Sequence, residues 1–179
     1  MKYLRRFLWY IAKRLLGVTI LAGVLIIAFY LAMNTANITI LLKDGMAMRA
    51  EVVMKQEDPT DLTKYFDENF LQVDAALKAG ISDTSPYKDY NITGIDHRLS
   101  LEWMWCWPWD TTARAEFTET IPRIDGRVKS SSAEAARALY GDGFEYPPKW
   151  QGGRYSATLV KENGQWHVRS LTLISQVEE

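Results

Sequence analysis

Leu15 to Met33 is a run of nineteen residues without a single charge, and most of them are apolar. As one helix it is long enough to cross a bilayer core, which takes about 20 apolar residues. Whatever else the chain builds has to be compatible with where that run is put. A cleaved signal peptide is the first alternative, but its apolar region spans about 7–15 residues and ends in a small-x-small site. Here the run is longer, and its exit, Ala32-Met33-Asn34-Thr35-Ala36, matches such a site poorly. A helix buried in a soluble core is the second alternative. A retained single-pass anchor is the preferred reading.

Orientation follows from the flanks. Lys2, Arg5, Arg6, Lys13 and Arg14 precede the run with no acidic residue among them, whereas Lys43, Arg49 and Lys55 follow it mixed with Asp44 and Glu51. Cytoplasmic flanks of membrane spans carry the excess of Lys and Arg. The N-terminus is therefore expected in the cytoplasm and the rest outside the plasma membrane. Tyr3, Trp9 and Tyr10 suit the headgroup level, or simply extend the apolar helix. The expected organisation is a cytoplasmic N-terminus and transmembrane helix over 1–36, a juxtamembrane stalk over 37–46, and an extracytoplasmic domain over 47–176; Thr39 to Asp44 reads as an extension of the anchor or as a short stalk, with Gly45 as a candidate break.

The remaining length, about 140 residues, suits one compact domain and not two. A net charge of -1 and the lack of a dense basic run after the span argue against nucleic acid as a partner. The single cysteine, Cys106, excludes an internal disulfide and a multi-cysteine metal site. With His97 and His167 as the only histidines, no zinc pattern can be drawn, and neither metal nor cofactor is expected. Cys106 reads as a small buried hydrophobe, with pairing between chains as the alternative. Asn37-Ile-Thr39 and Asn91-Ile-Thr93 match the glycosylation sequon, but the compact anchor-plus-domain layout looks bacterial and both read as chance.

Gly45 to Gln56 reads as a helix. Asp58 can cap the next one, with Pro59 at its first position. Leu62, Tyr65, Phe66, Phe70, Val73 and Leu77 then make an amphipathic stripe that stops at Gly80. From Tyr90 the period changes to two. His97, Leu99, Leu101, Trp103 and Trp105 share one strand face, and Arg98, Ser100, Glu102, Met104 and Cys106 the other. Ala113, Ala115, Phe117 and Ile121 mark a second strand with one wet face. Ser131-Ser-Ala-Glu134 is a capping-box pattern that starts a short helix ending at Gly141. Phe144 to Gly153 reads as an extended loop. Tyr155–Glu162 and Gln165–Ile174 are strands joined by Asn163-Gly164, the pair that a type I′ hairpin turn requires. Helices first and strands afterwards indicate an α+β domain with helices on one face of an antiparallel sheet.

That order, with the segment Asp61-Leu62-Thr-Lys-Tyr65-Phe66-Asp-Glu-Asn-Phe70 and the hairpin Asn163-Gly164-Gln165-Trp166-His-Val168, resembles the nuclear transport factor 2-like (NTF2-like) superfamily over about residues 45–175. The resemblance implies a cone of helices packed on a curved antiparallel sheet, with a pocket at its open end. It also implies binding of a small molecule or dimerisation through the sheet. Single-span members with the domain outside resemble the VirB8-like assembly components of secretion and conjugation machines, and related sporulation channel proteins. The helix near Ser132–Leu139 would be an insertion between strands.

Trp103-Met-Trp105-Cys-Trp107-Pro-Trp109 holds four of the seven tryptophans. In a continuous strand all four would face one way, and each ring can bury roughly 150–250 Å². The first reading is a core strand running to a turn at Pro108. The second is an exposed aromatic wall for a ligand, a partner or the membrane, with Trp107 and Trp109 more exposed than Trp103. Asp96 and His97 cannot form a dyad with each other, because strand neighbours point to opposite faces. Glu119 falls on the apolar side with Phe117 and Ile121, either paired with an arginine such as Arg123 or Arg169 or facing a pocket. With Trp150 in the extended loop, Glu119 and the four clustered tryptophans make up the candidate ligand- or partner-binding residues. No nucleophile elbow or phosphate loop is present, and no catalytic residue is assigned. The expected function is a non-enzymatic anchored binding or scaffold protein of a bacterial envelope complex, with a protein partner or a second copy of itself. The alternatives are a small-molecule module with a Trp-lined pocket and an enzyme with a polar dyad in an open pocket.

Overall fold

A computed structural model describes residues 2–82, 85–141 and 143–177. It begins with one helix, α1 (Lys2–Lys55), that runs without interruption from the N-terminus into the body of the domain. Up to Met33 its side chains are almost all exposed. Beyond Met33 one face is buried: Ile38, Leu42, Met46, Ala50 and Met54 recur at every fourth residue and are all inaccessible to solvent. That spacing aligns side chains along one face of a helix. Of the two readings of this stretch, the structure has the extension of the anchor helix and not a stalk: 37–46 is helical, and its face with Ile38, Leu42 and Met46 joins the core. Gly45 does not break α1. A Cβ there would lie 2.9 Å from Cβ of Tyr65, so the glycine permits close approach of the following segment.

The stripe from Leu62 to Leu77 is also not one helix. It divides into a 3₁₀ turn (Pro59–Lys64), α2 (Glu68–Val73) and α3 (Ala75–Ile81). Each begins at an aspartate, Asp58, Asp67 or Asp74, whose side chain accepts a backbone N–H two residues on. Such caps satisfy N–H groups that the first turn leaves free. Three strong caps within a short stretch favour three short starts over one long helix. Leu62, Phe66, Phe70 and Leu77 still reach the core, while Val73 is left exposed.

Four strands follow, β1 (Tyr90–Trp105), β2 (Thr112–Val128), β3 (Gly153–Glu162) and β4 (Gln165–Gln176), with α4 (Ala133–Tyr140) between β2 and β3. They pair in sequence order as an antiparallel meander. α4 starts at Ser132 without a side-chain cap, so the capping box read at Ser131 is not formed. Asn163 and Gly164 both have positive φ, as the hairpin turn demands. Register shifts in β1 at Ile92/Gly94, Asp96/Arg98 and Leu101/Trp103 bend that strand, since an extra residue on one side increases local twist. The outer edge of β4 is covered near Val168, which exchanges backbone hydrogen bonds with Tyr65 and Asp67. On the helical side the sheet presents Ala115, Phe117, Ala157, Leu159 and Val168 to α1 and to Leu62, Phe66, Phe70 and Leu77. The architecture is a long N-terminal helix followed by a four-stranded antiparallel sheet, an α+β layout.

Candidate functional site

The six candidate residues fall into two places. Trp103, Trp105, Trp107 and Trp109 lie at the β1–β2 turn, whereas Glu119 lies inside the domain and Trp150 at the opposite end of the sheet. Thr112 pairs with Val160 near the turn, and Glu119 pairs with Gly153. The stretch of β2 between them spans about 23 Å at a rise of about 3.3 Å per residue.

The core-strand reading of the tryptophan cluster is overturned. Trp103, Trp105, Trp107 and Trp109 are 49%, 55%, 40% and 68% exposed, and Trp107 is the least exposed rather than Trp103. The reason is the register shift between Leu101 and Trp103. Leu99, Leu101, Met104 and Cys106 pack on the core, so beyond the shift Met104 and Cys106 take the inner face and the tryptophans are left outside. They pack on each other instead. Trp105 meets Trp107 edge to face at 5.3 Å, and Trp107 stacks on Trp109 at 5.4 Å with 7° between planes. Cys106 is buried as expected, and burial, reinforced by Asp110, pushes its thiol pKa up.

The interior holds a polar cluster. Arg49 grips Asp74 through two hydrogen bonds, Nε to Oδ2 at 2.6 Å and Nη2 to Oδ1 at 2.9 Å. Both side chains are only 6% exposed. Burial works against ionisation of Asp74, but the Arg49 hydrogen bond and charge, with the backbone N–H groups of Ala76 and Leu77, outweigh it and hold the carboxyl below its ordinary range. Beside this pair, His97 Nε2 and Glu119 Oε1 are 3.0 Å apart, with Glu119 completely buried. The partner of Glu119 is thus His97, and neither Arg123 nor Arg169. Arg123 binds Asp125 and Arg169 approaches Glu162, both on the outside. Asp96 binds Arg98 on the other face, so Asp96 and His97 are separated as the strand alternation predicts. Tyr155, stacked on Phe117 at 5.8 Å, has its phenol pKa pushed up by burial and by Glu119.

One oxygen of this cluster is unpartnered: Glu119 Oε2 is buried without a hydrogen bond, as is Trp150 Nε1. Orphaned buried polar atoms cost about 1–3 kcal/mol each; Trp166 Nε1, outside this cluster, is another. Trp150, Gly152 and Gln176 line two adjoining clefts of about 350 Å³ and 220 Å³, the smaller also bordered by Ala76, Tyr155 and Leu173. The loop rests directly on the strand that carries Glu119, because a Cβ at Gly152 would lie 3.0 Å from the Glu119 carbonyl oxygen. Trp150 borders both clefts and is stacked on Tyr87 at 6.4 Å, whereas Glu119 is completely buried and borders neither. Among the described residues no group of three His, Cys, Asp or Glu side chains converges on a point.

Sequence reasoning did not find Arg49, Asp74 or Tyr155. Arg49 did carry a signal, since it falls on the apolar face three residues after Met46 and four before Val53. A charge on a buried helical face requires a partner. No protein-family model matches the chain, and neither a curated protein nor a solved structure matches it significantly.

Proposed function

We propose that this protein is a single-pass, membrane-anchored binding protein, with its N-terminus in the cytoplasm and its α+β domain outside. In this reading it serves as an accessory of a bacterial envelope complex rather than as an enzyme. The observation that carries the proposal is the continuity of α1. The charge-free half, none of which is covered by the rest of the protein, passes without a break into the half that holds Ile38, Leu42 and Met46 in the core. Cleavage near Ala36 would cut through the helix just before its core-forming half, which favours a retained anchor over a leader. Lys13 lies over the Trp9 ring at 3.7 Å and Arg14 over Tyr10 at 5.1 Å, a pairing suited to the cytoplasmic headgroup level. A domain mounted on its own membrane helix is held in a defined pose, which suits presenting a surface to a neighbour.

The unpaired edge of β1 supplies such a surface. Among the described residues this strand pairs only with β2, and a long free edge is a template for another strand. A photo-crosslinking residue in place of Ser100, on the exposed part of β1, is expected to give a higher-mass adduct in intact cells, to a second copy or to a partner. A protein that stays strictly monomeric and free of adducts from positions along β1 would sink the proposal.

The orphaned Glu119 oxygen supports a second reading, a small-molecule module with its mouth at Trp150. Titration with amine- or amide-bearing metabolites should then change Trp150 emission, and Glu119→Gln should weaken the response at least about tenfold, the scale of one lost charged hydrogen bond. An unaltered titration in Glu119→Gln would dispose of it.

A further inference from the structure

The tryptophan turn is held at the level where the apolar part of α1 ends. Asn34 follows Met33, the last residue of the apolar stretch before the polar positions Asn34, Thr35 and Asn37, and its side-chain nitrogen lies 3.8 Å from Sγ of Cys106. Cys106 sits in the middle of Trp103–Trp109. At about 1.5 Å per residue the run from Leu15 to Met33 is about 28 Å long, close to the roughly 30 Å of a hydrocarbon core. In the anchored reading Asn34 therefore emerges at the boundary between acyl chains and headgroups, and the indoles stand beside it. Tyr30, one turn earlier and packed edge to face on Phe29 at 5.9 Å, belongs to the same level.

The chemistry of the turn fits that boundary. Indole combines a broad apolar face with one N–H donor, and tryptophan is enriched where bilayers meet water. Between Trp103 and Thr111 the only charged side chain is Asp110, and its carboxylate accepts the backbone N–H of Trp107 at 3.0 Å. Opposite Trp105 on β2 lies the exposed Arg114, a cation whose long side chain can reach the headgroup phosphates. Trp105, Trp107 and Trp109 pack on one another in series and stay 55%, 40% and 68% exposed.

We infer that the Trp103–Trp109 turn is a second membrane contact, inserted into the headgroup–acyl boundary of the leaflet from which α1 emerges. The inference rests on the anchored reading and goes beyond it. One helix fixes the depth of a domain but leaves it free to rotate about the helix axis and to tilt, and interfacial aromatic anchors are what set tilt and rotation. An off-axis contact at the turn removes that freedom. It fixes which way the β1 edge and the Trp150 mouth face.

The test uses the full chain reconstituted in phosphatidylcholine vesicles, with ordinary acyl chains or with chains brominated close to the headgroup. Wild type is compared with Trp105→Phe/Trp107→Phe/Trp109→Phe, so that the difference isolates three rings. Acrylamide serves as the aqueous quencher, and resistance to alkaline carbonate extraction reports the anchor separately. The expected result is that the three rings lose about half or more of their emission to brominated lipid and little to acrylamide, as interfacial tryptophans do. If the chain resists carbonate but the rings are quenched by acrylamide alone, the turn stands in water and the inference falls while the anchor survives. Rings shielded from both quenchers are covered by protein, a second copy or a partner, and that also overturns it. Release of the chain by carbonate removes the anchor and the inference together. Should the triple variant lose the buried environment of Trp166, Trp109→Phe alone provides the same comparison.

Discussion

Replacing Asp74 by alanine is expected to destabilise the domain by about 3–5 kcal/mol, because it strands the buried Arg49 guanidinium without its carboxylate. The loss has two parts. Asp74 neutralises Arg49 through two hydrogen bonds, and it also caps α3 through the backbone N–H of Ala76. Loss of a cap alone costs about 1 kcal/mol. The double variant Arg49→Met/Asp74→Asn should recover most of the stability, since it removes both charges while keeping a capping side chain. As a control, Arg98→Ala breaks an exposed pair with Asp96 and should cost less than about 1 kcal/mol. Denaturant unfolding in detergent micelles, followed by tryptophan emission, measures all of these. A cost for Asp74→Ala no larger than that for Arg98→Ala would refute the role given to the pair.

The same pair makes stability depend on acid. An unfolded aspartate titrates near about 3.9, and the folded carboxyl of Asp74 lies below that. The folded state thus binds fewer protons than the unfolded state between the two values. Its contribution is fully present above pH about 4 and is lost as pH falls through the folded value. Asp74→Ala should therefore flatten the acid limb of the stability curve.

Leu42→Ala is the second large effect, at about 2–5 kcal/mol for a fully buried leucine truncated in a packed core. Leu42 lies in the stretch that the sequence offered as a stalk, yet it is inaccessible between Ile38 and Met46. Its exposed neighbour Lys43 serves as the control, and Lys43→Ala should change stability by no more than about 0.5 kcal/mol. A true stalk would leave both variants equally stable. Equal, negligible losses would therefore show that α1 does not enter the core.

Much of the fold was legible in the residues, for identifiable reasons. The Asn163-Gly164 hairpin follows from a turn that needs two positive φ values. The alternation Ala113, Ala115, Phe117 and Ile121 follows from a sheet with one buried face. Gly45 misled because a glycine can serve either flexibility or close approach, and only the neighbouring Tyr65 distinguishes the two. The stripe from Leu62 to Leu77 misled because periodicity does not register the caps at Asp67 and Asp74 that restart the helix. Of the candidate site, Glu119 was visible as a carboxylate on an apolar face. Its partner His97 was not, because the two lie on different strands that meet through a shifted register.

Local pattern by itself determined the apolar span, the order of helices and strands, the hairpin turn and the anomalous charge at Glu119. Each depends on residues close in the chain, where backbone geometry and hydrophobic period act directly. Tertiary structure alone decided that α1 is one rod shared between the apolar span and the domain. It also joined Arg49 to Asp74 and His97 to Glu119, and left the tryptophans of the turn outside the core. Those outcomes depend on volume and on pairing between distant segments. A run of four tryptophans is equally suited to filling a core or to facing an interface, and the choice fell to the register shift between Leu101 and Trp103, which turns Met104 and Cys106 inward.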